Sequence, residues 1–201
     1  MSIFRKKVYF PQFLSDMITH QMEFLEKNFH KLIVLADESQ VLTDAQNKDF
    51  YGKAHELIIL DIIVGCNLHF HRETSSEQVG EAVSIVYGKY LLEYKKTPME
   101  LADAKMQRLM GLLELLDRAE EKDHKYDEYA KKIGYERPYR IDNDIAKVKY
   151  YVCNAFCDYC VGEDVKSENW QGRRFAAFKF AKAVVLSDVV GTYLKEVKVA
   201  F

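Results

Sequence analysis

The chain has 201 residues, of which 48% are hydrophobic and 30% charged, with only three prolines and nine glycines. That is too apolar for a disordered chain and long enough to bury a substantial core within one domain. A formal net charge of −2 and an isoelectric point near 6.3 provide no basic excess for holding phosphates, so no nucleic-acid partner is expected. The opening "MSIFRKKVYFPQF" has basic residues but no apolar run of leader length behind them. The greasiest stretch, Leu57 to Gly65, is too short to span a bilayer and contains Asp61. The expectation is a cytoplasmic chain with no membrane contact, in which all four cysteines stay reduced.

Helical periodicity accounts for nearly the whole length, and no segment alternates with a period of two. A first helix is predicted from about Pro11 to Ala36. Leu14, Ile18, Met22, Leu25, Phe29 and Leu32 form its stripe, with Met17, Phe24 and Leu35 beside it. A second covers roughly Ala45 to Phe70 and is apolar around most of its circumference from Leu57 to Val64, the mark of a central helix. Ala54 and Gly65 share a sector with Asp61 and are small enough to let another helix approach. A third opens at "TSSEQ", where Thr74 or Ser75 caps and Glu77 or Gln78 reaches back, and runs to about Tyr94.

The fourth has the clearest start signal, "TPME", with Thr97 as cap, Pro98 at the first helical position and Glu100 completing a capping box. Met99, Ala102, Met106, Leu109, Leu113 and Leu116 are its predicted core face. Beyond them, Glu114–Arg118, Glu121–Lys125, Asp127–Lys131 and Glu128–Lys132 are acid-before-base pairs at i,i+4. Each stabilises exposed helix by about 0.3 kcal/mol, which predicts a solvated arm extending past the core until "IGYERPYR" ends it. A fifth helix is expected from about Asp142 to Val161, capped by Asp142 or Asn143, and a sixth from near Ser167 to about Val197. In the sixth, Ala177, Ala181 and Gly191 are small enough for a close neighbour.

Three cysteines, Cys153, Cys157 and Cys160, stand as C-x3-C-x2-C. The spacing resembles that by which radical S-adenosylmethionine enzymes hold an iron–sulfur cluster, and would imply three thiolates converging from a loop. On a helix, however, the three lie within about 60° of one another on a face shared with Ala146, Tyr150, Phe156 and Val161. Lys149 falls in the same sector and is expected to snorkel outward. The reading is a stripe of small buried hydrophobes.

A metal reading rests on two i,i+3 pairs, Cys66 with His69 and Glu121 with His124, because that spacing puts two ligands on one helix face. Glu-x-x-His is similar to the unit that ferritin-like di-iron bundles use twice, although here it stands in the charged arm. Arg118 and His124 resemble the spacing of the helical HEPN ribonucleases, which implies RNA cleavage; the two side chains diverge by about 120° on a regular helix. Glu100–Asp103 and Glu114–Asp117 resemble half of the carboxylate set of MazG-type nucleotide pyrophosphohydrolases, without the preceding E-x-x-E helix.

Two acids stand in apolar surroundings, Asp61 in "LIILDIIVG" and Asp188 in "AVVLSDVVG". Neither has a base three or four positions away, so each predicts a partner from another helix, or the lining of an internal polar pocket. Thirteen tyrosines, with Tyr87, Tyr90 and Tyr94 along one helix side and Tyr150, Tyr151 and Tyr159 on the fifth helix, suit half-buried seams and subunit contacts. No phosphate-cradling glycine loop, no nucleophile beside a base and no complete ligand set is legible, so no cofactor is expected. Residues 1–201 thus predict one all-α domain, a bundle of about six helices with the fourth extended and the second and sixth central. The functional expectation is a non-catalytic interaction or regulatory protein that associates with itself or with another protein. A metal- or cofactor-binding bundle using Cys66, His69, Glu121 and His124 is the alternative.

Overall fold

The computed structural model describes residues 6–38, 42–132, 144–162, 169–185 and 188–201. The order is β1 (Lys6–Tyr9), α1 (Phe10–Ala36), α2 (Asp44–Phe70), α3 (Ser76–Lys89), a π-helical turn (Tyr90–Tyr94), α4 (Met99–Lys132), α5 (Asp144–Val161), α6 (Trp170–Val185), α7 (Val189–Tyr193) and β2 (Val197–Ala200). This is an all-α bundle. Helix α2 is its axis: Leu57 to Val64 are buried without exception, and α1, α3, α4, α5, α6 and α7 all pack against it. An apolar surface on every side can be removed from water only in that central position. Among the described helices, none is long and apolar enough to cross a membrane.

Local chemistry sets the boundaries. Thr43 and Gln46 form a reciprocal capping box at the start of α2, and Ser75 with Gln78 does the same for α3. Pro11 occupies the first turn of α1, where a missing N–H costs nothing. Helix α3 does not continue as α-helix to Tyr94. Its last turn widens, with Lys95 N–H donating to the Tyr90 carbonyl five residues back at 3.0 Å.

Several expectations are corrected. The predicted sixth helix is two, because Asp188 caps a new one: its Oδ1 accepts from Gly191 N–H at 2.9 Å. The chain then turns into β2, which pairs in parallel with β1 from Lys6↔Val197 to Tyr9↔Ala200. Four residues per strand are too few to reveal alternation, and the pairing is fixed by packing from afar. Phe10 and Phe70 both contact Phe201, while Phe13 meets Phe70 and Tyr193. Phe24 and Leu35 of α1 and Met99 of α4 are exposed, whereas Phe13 and Leu112 are buried. Met17 and Leu35 share an angular sector on α1, but only Met17 lies where neighbours cover it. Ala146 and Tyr150 are exposed, the Tyr150 ring lying edge-on to Phe178 of α6.

Helix α4 packs on α5, where the Asp123 carboxylate accepts from the Tyr151 hydroxyl at 2.9 Å. Glu121, His124, Lys125, Glu128 and Lys132 are exposed, and Glu121 pairs with Lys125 as expected. The side chains of Asp127 and Lys131, the caps at Asp142 and Asn143, the segment "IGYERPYR" and the start near Ser167 lie outside the described residues.

Candidate functional site

The two acids singled out in the sequence each have a partner from another element. Asp61, 6% exposed, receives the Lys149 ammonium on both oxygens, at 2.9 and 3.2 Å. Lys149 therefore turns inward across the α2–α5 seam, correcting the expected snorkel, because an acid on the neighbouring helix lies within its reach. Burial pushes the Asp61 carboxyl up to about 6 against the opposing pull of Lys149, and the Asp188 charge adds to the rise. Asp188 accepts from His69 Nε2 at 2.9 Å while it caps α7. The packing of α7 on α2 and the His69–Asp188 contact each need a glycine. A Cβ on Gly65 would stand 2.6 Å from Val190 Cγ2, and one on Gly191 would stand 2.1 Å from Asp188 Oδ2. Of the small residues read from the sequence as points of close approach, Gly65 and Gly191 are such points.

Cys153 and Cys157 are buried, and burial pushes both thiols up to about 12, as it does for Cys66. Cys160 is partly covered and also raised. A protonated thiol is a poor ligand and a poor nucleophile. Cys66, Cys153 and Cys157 belong to the core, and Cys157 Sγ lies 3.5 Å from the Arg174 carbonyl of α6.

The most concentrated polar chemistry was not singled out in the sequence. Glu56 of α2 is 0% exposed. Its Oε1 accepts from Arg108 Nε and Nη2 of α4 at 3.3 and 3.2 Å, with Lys105 Nζ at 3.9 Å. Burial raises the carboxyl above its usual range, opposed by Lys105 and Arg108. Burial also lowers the Lys105 ammonium and, together with Lys105, holds His55 down to about 4. Two phenols face the same interior. The hydroxyls of Tyr87 (α3) and Tyr159 (α5) are raised by burial first and by the Glu56 charge second. The signal that could have found Glu56 is its seven-residue spacing to Ile63, which places it on a buried side of α2 despite its charge.

From Tyr87 a ladder of stacked rings leads outward. Tyr87 and Tyr90 are 6.5 Å apart, and Tyr90 and Tyr94 are 5.4 Å apart. Lys95 lies over both outer rings and binds Glu26 of α1 at 2.6 Å. Tyr90 and Tyr94 line a cleft of about 430 Å³ between α1 and the π-turn, together with Ser15, Thr19, Lys89 and Glu93. That volume is within the range of ligand sites, and π-turns recur at such places. Neither Asp61 nor Asp188 lines it. The sequence reading placed the three tyrosines on one seam; the structure grades them from buried Tyr87 to exposed Tyr94.

The remaining candidates stand apart. Cys66 is buried on α2, and His69 is engaged by Asp188. Glu121 and His124 occupy the exposed end of α4, His124 beside Glu120 at 3.6 Å. Among the described residues, no three His, Cys, Asp or Glu side chains are grouped to hold one metal ion. No protein-family model, curated protein or solved structure matches the chain.

Proposed function

We propose that the chain is a non-catalytic interaction or regulatory module that pairs with a second copy of itself through the face containing the π-turn. The observation that carries this reading is the cleft and its continuation. The chain leaves the cleft at Tyr94, 59% exposed, and then presents Met99 and Leu101, 60% and 47% exposed. Large apolar side chains beside a concavity suit a protein interface, where tyrosine and methionine are enriched. Lys89 and Glu93, one turn apart, give the same cleft both signs of charge. A two-fold partner can therefore set each lysine against the other copy's glutamate, as isologous pairing requires.

The test is sedimentation of the full chain over a wide concentration range. A concentration-dependent dimer is expected, with loss of dimer in Tyr94→Ser/Met99→Ser and in Lys89→Glu. Pairing should return when Lys89→Glu is combined with Glu93→Lys. A wild-type chain that stays monomeric throughout, or a dimer indifferent to all these changes, would sink the proposal.

A further inference from the structure

Helices α3, α4 and α5 all pack on α2, and each carries polar groups into the interior against it that are only partly satisfied. Glu56 Oε1 is taken by Arg108. Glu56 Oε2, the Tyr87 hydroxyl and the Tyr159 hydroxyl are buried with no hydrogen-bond partner among the described residues. Glu56 and Tyr87 are themselves fully buried side chains. Each orphaned atom costs about 1–3 kcal/mol if nothing fills the gap. One carboxylate acceptor and two phenolic donors stand unused; the Tyr159 ring lies against Lys53, one turn before Glu56 on α2, and the Glu56 charge bears on both phenols. The charges do not balance either: Glu56 carries one negative charge, while Lys105 and Arg108 bring two positive ones.

We propose that this locus binds a small oxyanion that still carries a proton, the class to which hydrogen phosphate and bicarbonate belong. Such an ion supplies each missing partner. Its oxygens accept from the Tyr87 and Tyr159 O–H groups and from the guanidinium, and its own O–H donates to Glu56 Oε2. Its negative charge is drawn by the surplus positive one, which bicarbonate balances and hydrogen phosphate more than balances. Arg108, about two-fifths exposed, marks the way in from solvent, and Lys105 is mostly covered behind it. The buried carboxylate is the selective element, because an oxyanion with no proton would meet Glu56 as like charge against like. The site is independent of the cleft and of self-association.

Calorimetric titration of the full chain tests this, with inorganic phosphate, bicarbonate and sulfate compared at mildly alkaline pH, where sulfate has no proton to give. Phosphate or bicarbonate should bind at one site about tenfold to a hundredfold more tightly than sulfate, the discrimination expected when a buried acceptor is left unmet. Tyr87→Phe should weaken that binding about tenfold while leaving the ligand-free protein as stable as before or more so, since it removes an unsatisfied hydroxyl and keeps the ring. Arg108→Met should weaken it as well, and Glu56→Gln should narrow the preference over sulfate. Glycerol phosphate, whose phosphate like sulfate has no proton to give at this pH, is compared with sulfate to distinguish a free ion from a head group: weaker binding than sulfate means the anion is enclosed, and stronger binding means it is the end of a larger ligand at the Arg108 mouth. No oxyanion binding, or binding indifferent to Tyr87→Phe and Arg108→Met, would overturn the proposal and leave water as the bridge.

Discussion

Gly191→Ala should destabilise the protein even though alanine is the better helix former. The added Cβ would lie 2.1 Å from Asp188 Oδ2, 2.7 Å from its Cγ and 3.0 Å from His69 Nε2. The carboxylate must therefore swing away, and two interactions go with it. Loss of the α7 cap costs about 1 kcal/mol. Loss of the His69 contact, between side chains roughly one-quarter and one-third exposed, costs about 1 kcal/mol more after allowing for solvent. Against this, alanine narrows the unfolded ensemble, which stabilises by about 0.4–1 kcal/mol. The net loss is on the order of 1 to 1.5 kcal/mol, readable from urea unfolding followed by helical circular dichroism. The decisive measurement is the same substitution in an Asp188→Ala background. With no carboxylate to displace, Gly191→Ala should become neutral or stabilising there, a coupling of about 1–2 kcal/mol. Equal effects in the two backgrounds would refute the account of how α7 is held.

The interior groups also predict opposed responses to acid. His55, held down to about 4 by burial and Lys105, contributes stability that is present above its unfolded value near 6.5 and lost as pH falls through about 4. Asp61, raised to about 6 by burial, has the opposite sign: its contribution is complete below about 3.8 and lost as pH rises through 6. Stability–pH curves should therefore steepen in the acid range for Asp61→Asn and flatten for His55→Leu, each by about 1–3 kcal/mol across the window, with half-buried His55 at the lower end. Parallel curves for the two variants would contradict the assignment. The thiols give a simpler test. With Cys66, Cys153 and Cys157 pushed up to about 12 by burial, a thiol reagent should label them in native buffer only as fast as the bundle opens, and at once in urea. Prompt labelling of native Cys153 or Cys157 would place them outside the core.

What the sequence disclosed followed from how each feature is encoded. Helix α2 was legible because its caps and its all-round apolar run are local, and both name a central helix. The break before α7 was also written locally, in the serine and aspartate of "LSDVVG", but the apolar residues on either side continue a helical period and concealed it. The β1–β2 pair has no local signature, since its two four-residue strands lie far apart in sequence and are held side by side by the aromatic cluster around Phe10, Phe70 and Phe201. Asp61 was recognisable as a buried acid needing a partner, yet Lys149 could not be named, because the pairing crosses helices. Glu56 escaped notice at the edge of the apolar run, where a charged residue ordinarily marks the beginning of exposed surface.

Along α2 three ionisable side chains, Glu56, Asp61 and His69, face three different neighbours: α4, α5 and the start of α7. Apolar replacements of similar shape often stabilise a bundle as well as buried ion pairs do. What the pairs add is register, because a lysine or histidine can meet its acid at only one setting of one helix against the next. Two of the three contacts are complete in that role. Asp61 has both oxygens on Lys149, and Asp188 divides its two between His69 and the α7 backbone. A pair that serves only register has no reason to leave atoms unspent in the interior. Glu56 does so, and the phenols of Tyr87 and Tyr159 around it do the same. Packing and register therefore account for Asp61 and Asp188, while Glu56 requires a guest.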